Sequence, residues 1–146
     1  MKAFYIILTI LAGCVLPFQG AINGRLGKSI DSPVFASLIS FLIGSIALMI
    51  YSVATSSPVR FHSLKQLPLL EWTGGILGAF YVLVVVLMLP RLGAALAFSL
   101  IVAGQMTVSM WLDHTGTLVA VQHPINFWRI FGLFLIISGV ILVRKF

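Results

Sequence analysis

Five apolar runs dominate this sequence, and each comes close to the roughly 20 residues that a helix needs to cross the hydrocarbon of a bilayer. They cover residues 3–24, 33–55, 71–89, 92–112 and 127–143. Only 8% of the residues are charged, against about 25% in a soluble domain. Short alternating strands, which a transmembrane barrel requires, do not occur in the sequence. We therefore predict an all-α polytopic membrane protein, with five transmembrane helices in a single domain over residues 1–146.

The basic residues of the chain stand singly between the apolar runs. Although the net charge is +6, such isolated Lys and Arg side chains contact lipid headgroups and water, so a nucleic-acid partner is not expected. The N-terminal stretch MKAFYIILTILAGC also fits a lipoprotein signal that ends at Cys14. Because the apolar run continues past Cys14, we favour an uncleaved helix in which Cys14 is a small buried residue.

The distribution of basic residues barely favours either orientation of the chain in the membrane. With five helices, the two membrane sides receive four and five basic residues: Lys2, Arg60, Lys65 and Arg129 on the N-terminal side, and Arg25, Lys28, Arg91, Arg144 and Lys145 on the other. The positive-inside rule acts on an imbalance in such charges, and a difference of one gives it little to act on. Either other determinants fix one orientation, or copies insert both ways and pair antiparallel, which we favour.

Amide side chains interrupt the first and fourth apolar runs. Gln19 and Asn23 lie four residues apart, so both amides share one helix face, and Pro17 predicts a bend in the turn before them. Further polar groups that we assign to a substrate pathway are Tyr81, Gln105 and Ser109, with Ser37 and Ser40 as additional hydrogen-bonding groups. Such groups at membrane depth face a bundle interior or a wet cavity. Alternatively, Gln19 bonds to Gln105 and only holds helices together, contributing roughly 0.6–2 kcal/mol.

No catalytic, metal-binding or nucleotide-binding set is present in the sequence. His62, His114 and His123 lack metal-ligand spacing and are expected to be solvated residues of the loops. We therefore expect neither an enzyme nor a cofactor or bound metal, and active transport would need an ion gradient. Glu71 and Asp113 are the candidates for proton or ion coupling, although Glu71 also fits an interfacial acid at a helix N-terminus.

Small residues at helical spacing mark the predicted packing faces. They recur in the first, third, fourth and fifth runs, and most fit ordinary helix packing. In the third run Glu71, Gly74, Gly75, Gly78 and Val82 share a face that could admit a ligand or a helix. In the fifth run we assign Gly132 and Gly139 to dimer packing.

Several stretches together resemble a known family. QGAINGRLG (19–27), SPVFASLISFLIGS (32–45), GGILGAFYV (74–82), PRLGAALAFSLIVAGQ (90–105), DHTG (113–116) and ISGVILV (137–143) are similar to the YdcZ-like branch of the drug/metabolite transporter superfamily. The segment GLFLIISGV (132–140) is also similar to the last helix of small multidrug resistance proteins, where it forms the dimer contact.

This resemblance implies a transporter of the bacterial inner membrane that is half of an inverted repeat. The chain would move a small molecule by alternating access, as an antiparallel homodimer or with a related chain. Small multidrug resistance proteins carry a glutamate in the first helix, whereas this chain has LAGCVLPFQ there. A neutral or weakly polar metabolite therefore fits better than a cation. The alternative from another class is a non-transporting scaffold or regulatory subunit of a larger complex.

Overall fold

A computed structural model describes residues 2–55 and 67–146, and within them it is helical without strands. Two compact units divide the chain, Met1–Arg91 and Leu92–Phe146. The helices are α1 (Lys2–Ser29), α2 (Pro33–Ala54), α3 (Leu69–Trp72), α4 (Gly74–Leu92), α5 (Ala94–Thr115) and α6 (Phe127–Lys145). Five spans in the described ranges are long and apolar enough to cross a membrane, with α3 and α4 forming one of them. The predicted all-α membrane fold is confirmed.

Helix ends differ from the predicted ends where polar residues continue a helix. The first helix extends to Ser29, beyond the predicted end at Gly24, because Arg25 and Lys28 prolong it past the apolar run. The third predicted span begins earlier, with the separate turn α3, and α4 continues through Pro90. The break before α5 falls at Gly93, whose φ of 77° and ψ of 160° belong to a region that only glycine occupies without strain.

The turn between α1 and α2 is tightly hydrogen-bonded. The Ser32 amide donates to the Gly27 carbonyl at 3.0 Å and the Asp31 amide donates to the Lys28 carbonyl at 3.4 Å. Asp31 has a φ of 51°, so these bonds form a Schellman motif with Asp31 in the left-handed position. The Ser32 hydroxyl then accepts from the Phe35 amide, and Pro33 opens α2. One helix therefore stops and the next starts within three residues.

Glycines allow close packing in the first unit. A Cβ atom placed on Gly27 would lie 3.2 Å from Cγ1 of Val86 and 3.6 Å from Cβ of Ala36, so α1 approaches both α4 and α2 there. A Cβ on Gly78 would lie 3.4 Å from Cζ of Phe41, so this part of the predicted Gly-rich face packs against α2. The buried side chains of α4 are Val82, Val85, Val86 and Leu89.

In the second unit α5 and α6 pack against each other. Gly116 ends α5 in the left-handed conformation, and its amide donates to the Leu112 carbonyl at 2.9 Å. The Asn126 side chain caps α6 by accepting from the Arg129 amide at 2.9 Å. At both helix ends, some of the free backbone groups therefore find hydrogen-bond partners in or next to the connecting segment.

Large apolar side chains are exposed on every long helix, as expected for a chain solvated by lipid. Cys14 is exposed too; its predicted burial is wrong, because its neighbours on α1 from Gly13 to Val15 also lie uncovered. Two of the basic residues assigned to the N-terminal side, Arg60 and Lys65, lie outside the described residues. The same holds for His62, which is predicted to lie in a loop.

We predict that Gly27→Val destabilises the first unit. The new methyl groups would crowd Val86 and Ala36, and such overpacking costs about 1–3 kcal/mol. Gly104→Val is the matched control, because it replaces a mid-helix glycine whose added Cβ meets nothing within 4 Å. Thermal unfolding in detergent should show the lower midpoint only for Gly27→Val; equal midpoints would contradict the close approach.

Candidate functional site

Polar side chains of α1, α2 and α4 meet inside the first unit. Asn23 is only 6% exposed, and its Nδ2 donates to the Ser40 hydroxyl at 3.0 Å. This bond joins α1 to α2 and satisfies one amide proton of a side chain that apolar surroundings would otherwise disfavour. Ser37, also buried, donates instead to the Pro33 carbonyl of its own helix at 2.9 Å and so adds no interhelical bond.

The Tyr81 hydroxyl is a buried polar group without a hydrogen-bond partner among the described residues. Tyr81 lines a small space of about 10 Å³ together with Gln19 and Asn23. Such a volume is near the minimum that holds one water molecule. We call Gln19, Asn23, Ser40 and Tyr81 the polar cluster.

A larger cavity adjoins the polar cluster. It has a volume of about 200 Å³, and its walls include Gln19 of α1, Ser40 and Ser45 of α2 and Val82 of α4. Gln19 lines both this cavity and the small space beside Tyr81. Its side chain is nevertheless exposed on the chain. Sites for drug-sized ligands usually measure about 300–1,000 Å³, so this volume suits a smaller metabolite. Ser45 was not predicted; the small and polar spacing of Ser40, Gly44 and Ser45 on α2 is the signal that would have indicated it.

A second cavity lies between α5 and α6. Its volume is about 240 Å³, and its lining includes Ser109, Asp113, Arg129 and Gly132. The Arg129 guanidinium donates to the Asp113 carboxylate through Nη2 at 2.6 Å and to the His123 carbonyl through Nη1 at 2.8 Å. Asp113 lies near the C-terminus of α5 and Arg129 near the N-terminus of α6, so each charge is at the unfavourable end of its helix dipole. Pairing offsets both penalties.

Several hydrogen bonds form within the connection from α5 to α6. His114 and His123 are exposed, as expected, but His114 lies in the last turn of α5 rather than in a loop, because that helix extends to Thr115. Both residues take part in the hydrogen bonds of the connection. Nδ1 of His114 accepts from the Ile125 amide at 3.2 Å, and the His123 amide donates to the Asp113 carbonyl at 2.9 Å. No group of three metal-ligating side chains occurs within the described ranges.

The remaining predicted site residues are found at open positions. Gln105 is exposed on α5, and Glu71 is exposed on the short helix α3. A Cβ atom on Gly132 or Gly139 would meet nothing within 4 Å; both glycines are half-buried and line cavities beside α5. The pathway, coupling and dimer roles of these residues stay predictions.

Five apolar spans, with polar side chains lining cavities within each unit, define a polytopic membrane protein. The chain matches the family described as "Putative inner membrane exporter, YdcZ" over residues 4–142, and it belongs to that family. The resemblance predicted from the sequence is thereby confirmed, as is a multi-pass location in the inner membrane. Family membership supports a transporter rather than an enzyme. No curated protein and no solved structure matches the chain.

We predict that breaking the ion pair loosens the second unit. Asp113→Asn leaves Arg129 unpaired at a positive helix end, and Arg129→Gln leaves Asp113 unpaired at a negative one, so each should cost about 1–2 kcal/mol. The double variant should recover part of the loss, because neither unfavourable charge remains. Chemical unfolding in a double-mutant cycle measures this coupling.

Glu71→Gln is the control for that cycle, since it neutralises an acid that is exposed and should leave stability unchanged. Strictly additive effects of the two single variants would show that Asp113 and Arg129 do not interact in the membrane protein.

Proposed function

We propose that the protein exports a small, uncharged, hydrogen-bonding metabolite by alternating access, with the polar cluster as its binding site. The observation that carries the proposal is the buried Tyr81 hydroxyl, which has no hydrogen-bond partner among the described residues. A buried donor without a partner costs about 1–3 kcal/mol. A substrate group that reaches from the adjoining cavity into the small space beside Tyr81 and accepts this bond would remove the cost on binding and restore it on release.

The chemistry of the polar cluster favours a neutral substrate. Its members offer two amides and two hydroxyl groups, and none of the charged side chains that the structure describes lines the adjoining cavity of about 200 Å³. A charged substrate would leave its own charge without a counter-ion in a poorly solvated space, which is costly. The cavity volume supports a metabolite smaller than typical drugs.

An antiparallel homodimer, or a pair with a related chain, is the proposed working unit. Such a pair would create the inverted repeat that transporters place around a central site. Two features support it: the near balance of basic residues between the two sides, and the space around Gly132 and Gly139 on α6, where an added Cβ would meet no described atom within 4 Å. Small residues let helices approach closely where no water drives association.

Glu71 and Asp113 are the proposed coupling residues, because a neutral substrate brings no charge to drive its own movement. Asp113 forms the ion pair with Arg129, so a proton taken up by its carboxylate would weaken the hold of α5 on α6. Glu71 is exposed at the start of the third span, where protons from the solvent on that side of the membrane can reach it.

Tyr81→Phe tests the binding site. The variant should be at least as stable as the wild type, because it deletes an unpaired hydroxyl, yet export should fall about three- to tenfold with the loss of one hydrogen bond to substrate. Export is measured by untargeted mass spectrometry of the medium, comparing cells that express the protein with cells carrying an empty vector. Tyr51→Phe, at an exposed position of α2, should change nothing.

Gln19→Leu separates transport from a scaffolding role. In a transporter this variant loses export but still inserts and assembles. In a scaffold it would alter assembly, which crosslinking in membranes detects. Normal export by both Gln19→Leu and Tyr81→Phe would contradict the proposed site.

Cysteine labelling tests the antiparallel pair. The chain has a single cysteine, so Cys14→Ser gives a cysteine-free background for new cysteines at Lys2 and Phe146. If copies insert both ways, a membrane-impermeant maleimide should label each position from both sides of the membrane. Labelling from one side only would exclude an inverted homodimer, while leaving a related partner chain of opposite orientation as the arrangement to test.

A further inference from the structure

The end of the first unit opposite the N-terminus contains a third cavity. Its volume is about 280 Å³, and it is lined by the backbone of Gly24 and Gly27 and by Lys28, Asp31 and Arg91. This is nearly twice the roughly 150 Å³ of a cavity that holds benzene. The space can therefore take a polyatomic ligand, and its two cations come from different helices, α1 and α4.

The charges at this cavity do not neutralise one another. Within residues 2–55 and 67–146 the structure has one ion pair, which joins Arg129 to Asp113 in the second unit. Arg91 donates through Nη1 to the Leu87 carbonyl of its own helix at 2.6 Å, and the rest of its guanidinium donors have no protein acceptor within the described ranges. With Lys28 and Asp31, the lining keeps a formal excess of one positive charge.

The depth of the cavity matches the lipid headgroups. Lys28 lies about 39 Å along α1 from Lys2, at 1.5 Å per residue. Since hydrocarbon is about 30 Å thick and a bilayer with headgroups about 40–45 Å, both lysines lie at headgroup level when α1 spans the membrane. The anions available at that depth are phospholipid phosphates, which basic pockets between transmembrane helices recognise.

We propose that this cavity is a binding site for the phosphate of an anionic phospholipid, held by Lys28 and Arg91. The glycine surface of α1 leaves room for the phosphate between the two side chains, and the acyl chains would extend along the exposed apolar faces of α1 and α4. Asp31, on the same wall, disfavours ligands with more than one or two negative charges.

Binding is measured on the full chain in neutral detergent, by native mass spectrometry and thermal shift, with phosphatidylglycerol against phosphatidylcholine. The wild type should bind phosphatidylglycerol preferentially. Lys28→Gln and Arg91→Gln should each weaken that binding about tenfold, since each removes a charge-assisted hydrogen bond. Arg25→Gln is the matched control: it neutralises a cation near the same end of α1 that does not line the cavity, and it should leave affinity unchanged.

A second variant keeps every charge. Gly24→Leu fills the cavity from a position where an added Cβ meets nothing within 4 Å, so it should abolish selective binding without unfolding the protein. Gly104→Leu, in α5, should not. Inorganic phosphate and glycerol 3-phosphate form the soluble arm of the experiment. A different result is that these soluble phosphates bind and lose affinity in the same variants while phosphatidylglycerol does not bind. That result would show that the cavity binds an oxyanion but that its ligand is soluble rather than a lipid.

Two outcomes would overturn the proposal. The first is equal binding of phosphatidylglycerol and phosphatidylcholine with no response to phosphate. The second is an equal loss for Arg25→Gln and Lys28→Gln, which would indicate attraction by overall charge alone. Neither outcome depends on export, so the lipid site and the proposed transport site fail separately.

Discussion

Hydrocarbon offers no hydrogen-bond partner to an amide side chain, and this constraint determines how the helices of the first unit pack. Asn23 is buried on α1 and donates to Ser40 of α2. It can do so because Gly27, one turn further along α1, removes the side chain that would hold α1 away from its neighbours. The same approach brings α4 in, and with it Tyr81. Hydrogen bond, glycine contact and cavity are therefore parts of one packing arrangement.

Much of this arrangement could be predicted from the sequence, for physical reasons. Spans of about 20 apolar residues have few alternatives to a membrane helix. The spacing of Gln19 and Asn23 correctly indicated a shared face. Pairing between helices was harder to predict, because a side chain's periodicity shows which face it is on and not which neighbour it meets. The sequence pattern did not distinguish Ser40 from Ser37. Ser40 accepts a hydrogen bond from α1, whereas Ser37 donates within its own helix.

Charged residues differ in how they are stabilised at the helix ends. In the second unit Asp113 and Arg129 neutralise each other across the connection between α5 and α6. In the first unit Lys28 and Arg91 lie in the last turns of their helices, where the dipole favours cations. They need no carboxylate for stability, and so their charge remains available to another anion.

The three-residue turn from α1 to α2 has a mechanical consequence. Its backbone bonds, its Ser32 cap and the Asn23–Ser40 bond tie these two helices together at several levels, whereas α4 is separated from α3 by the break at Thr73. These hydrogen bonds hold α1 and α2 together as a pair. In the proposed alternating access, a displacement of α4 against this pair would change the volume of the cavity at the polar cluster and would carry Tyr81 with it.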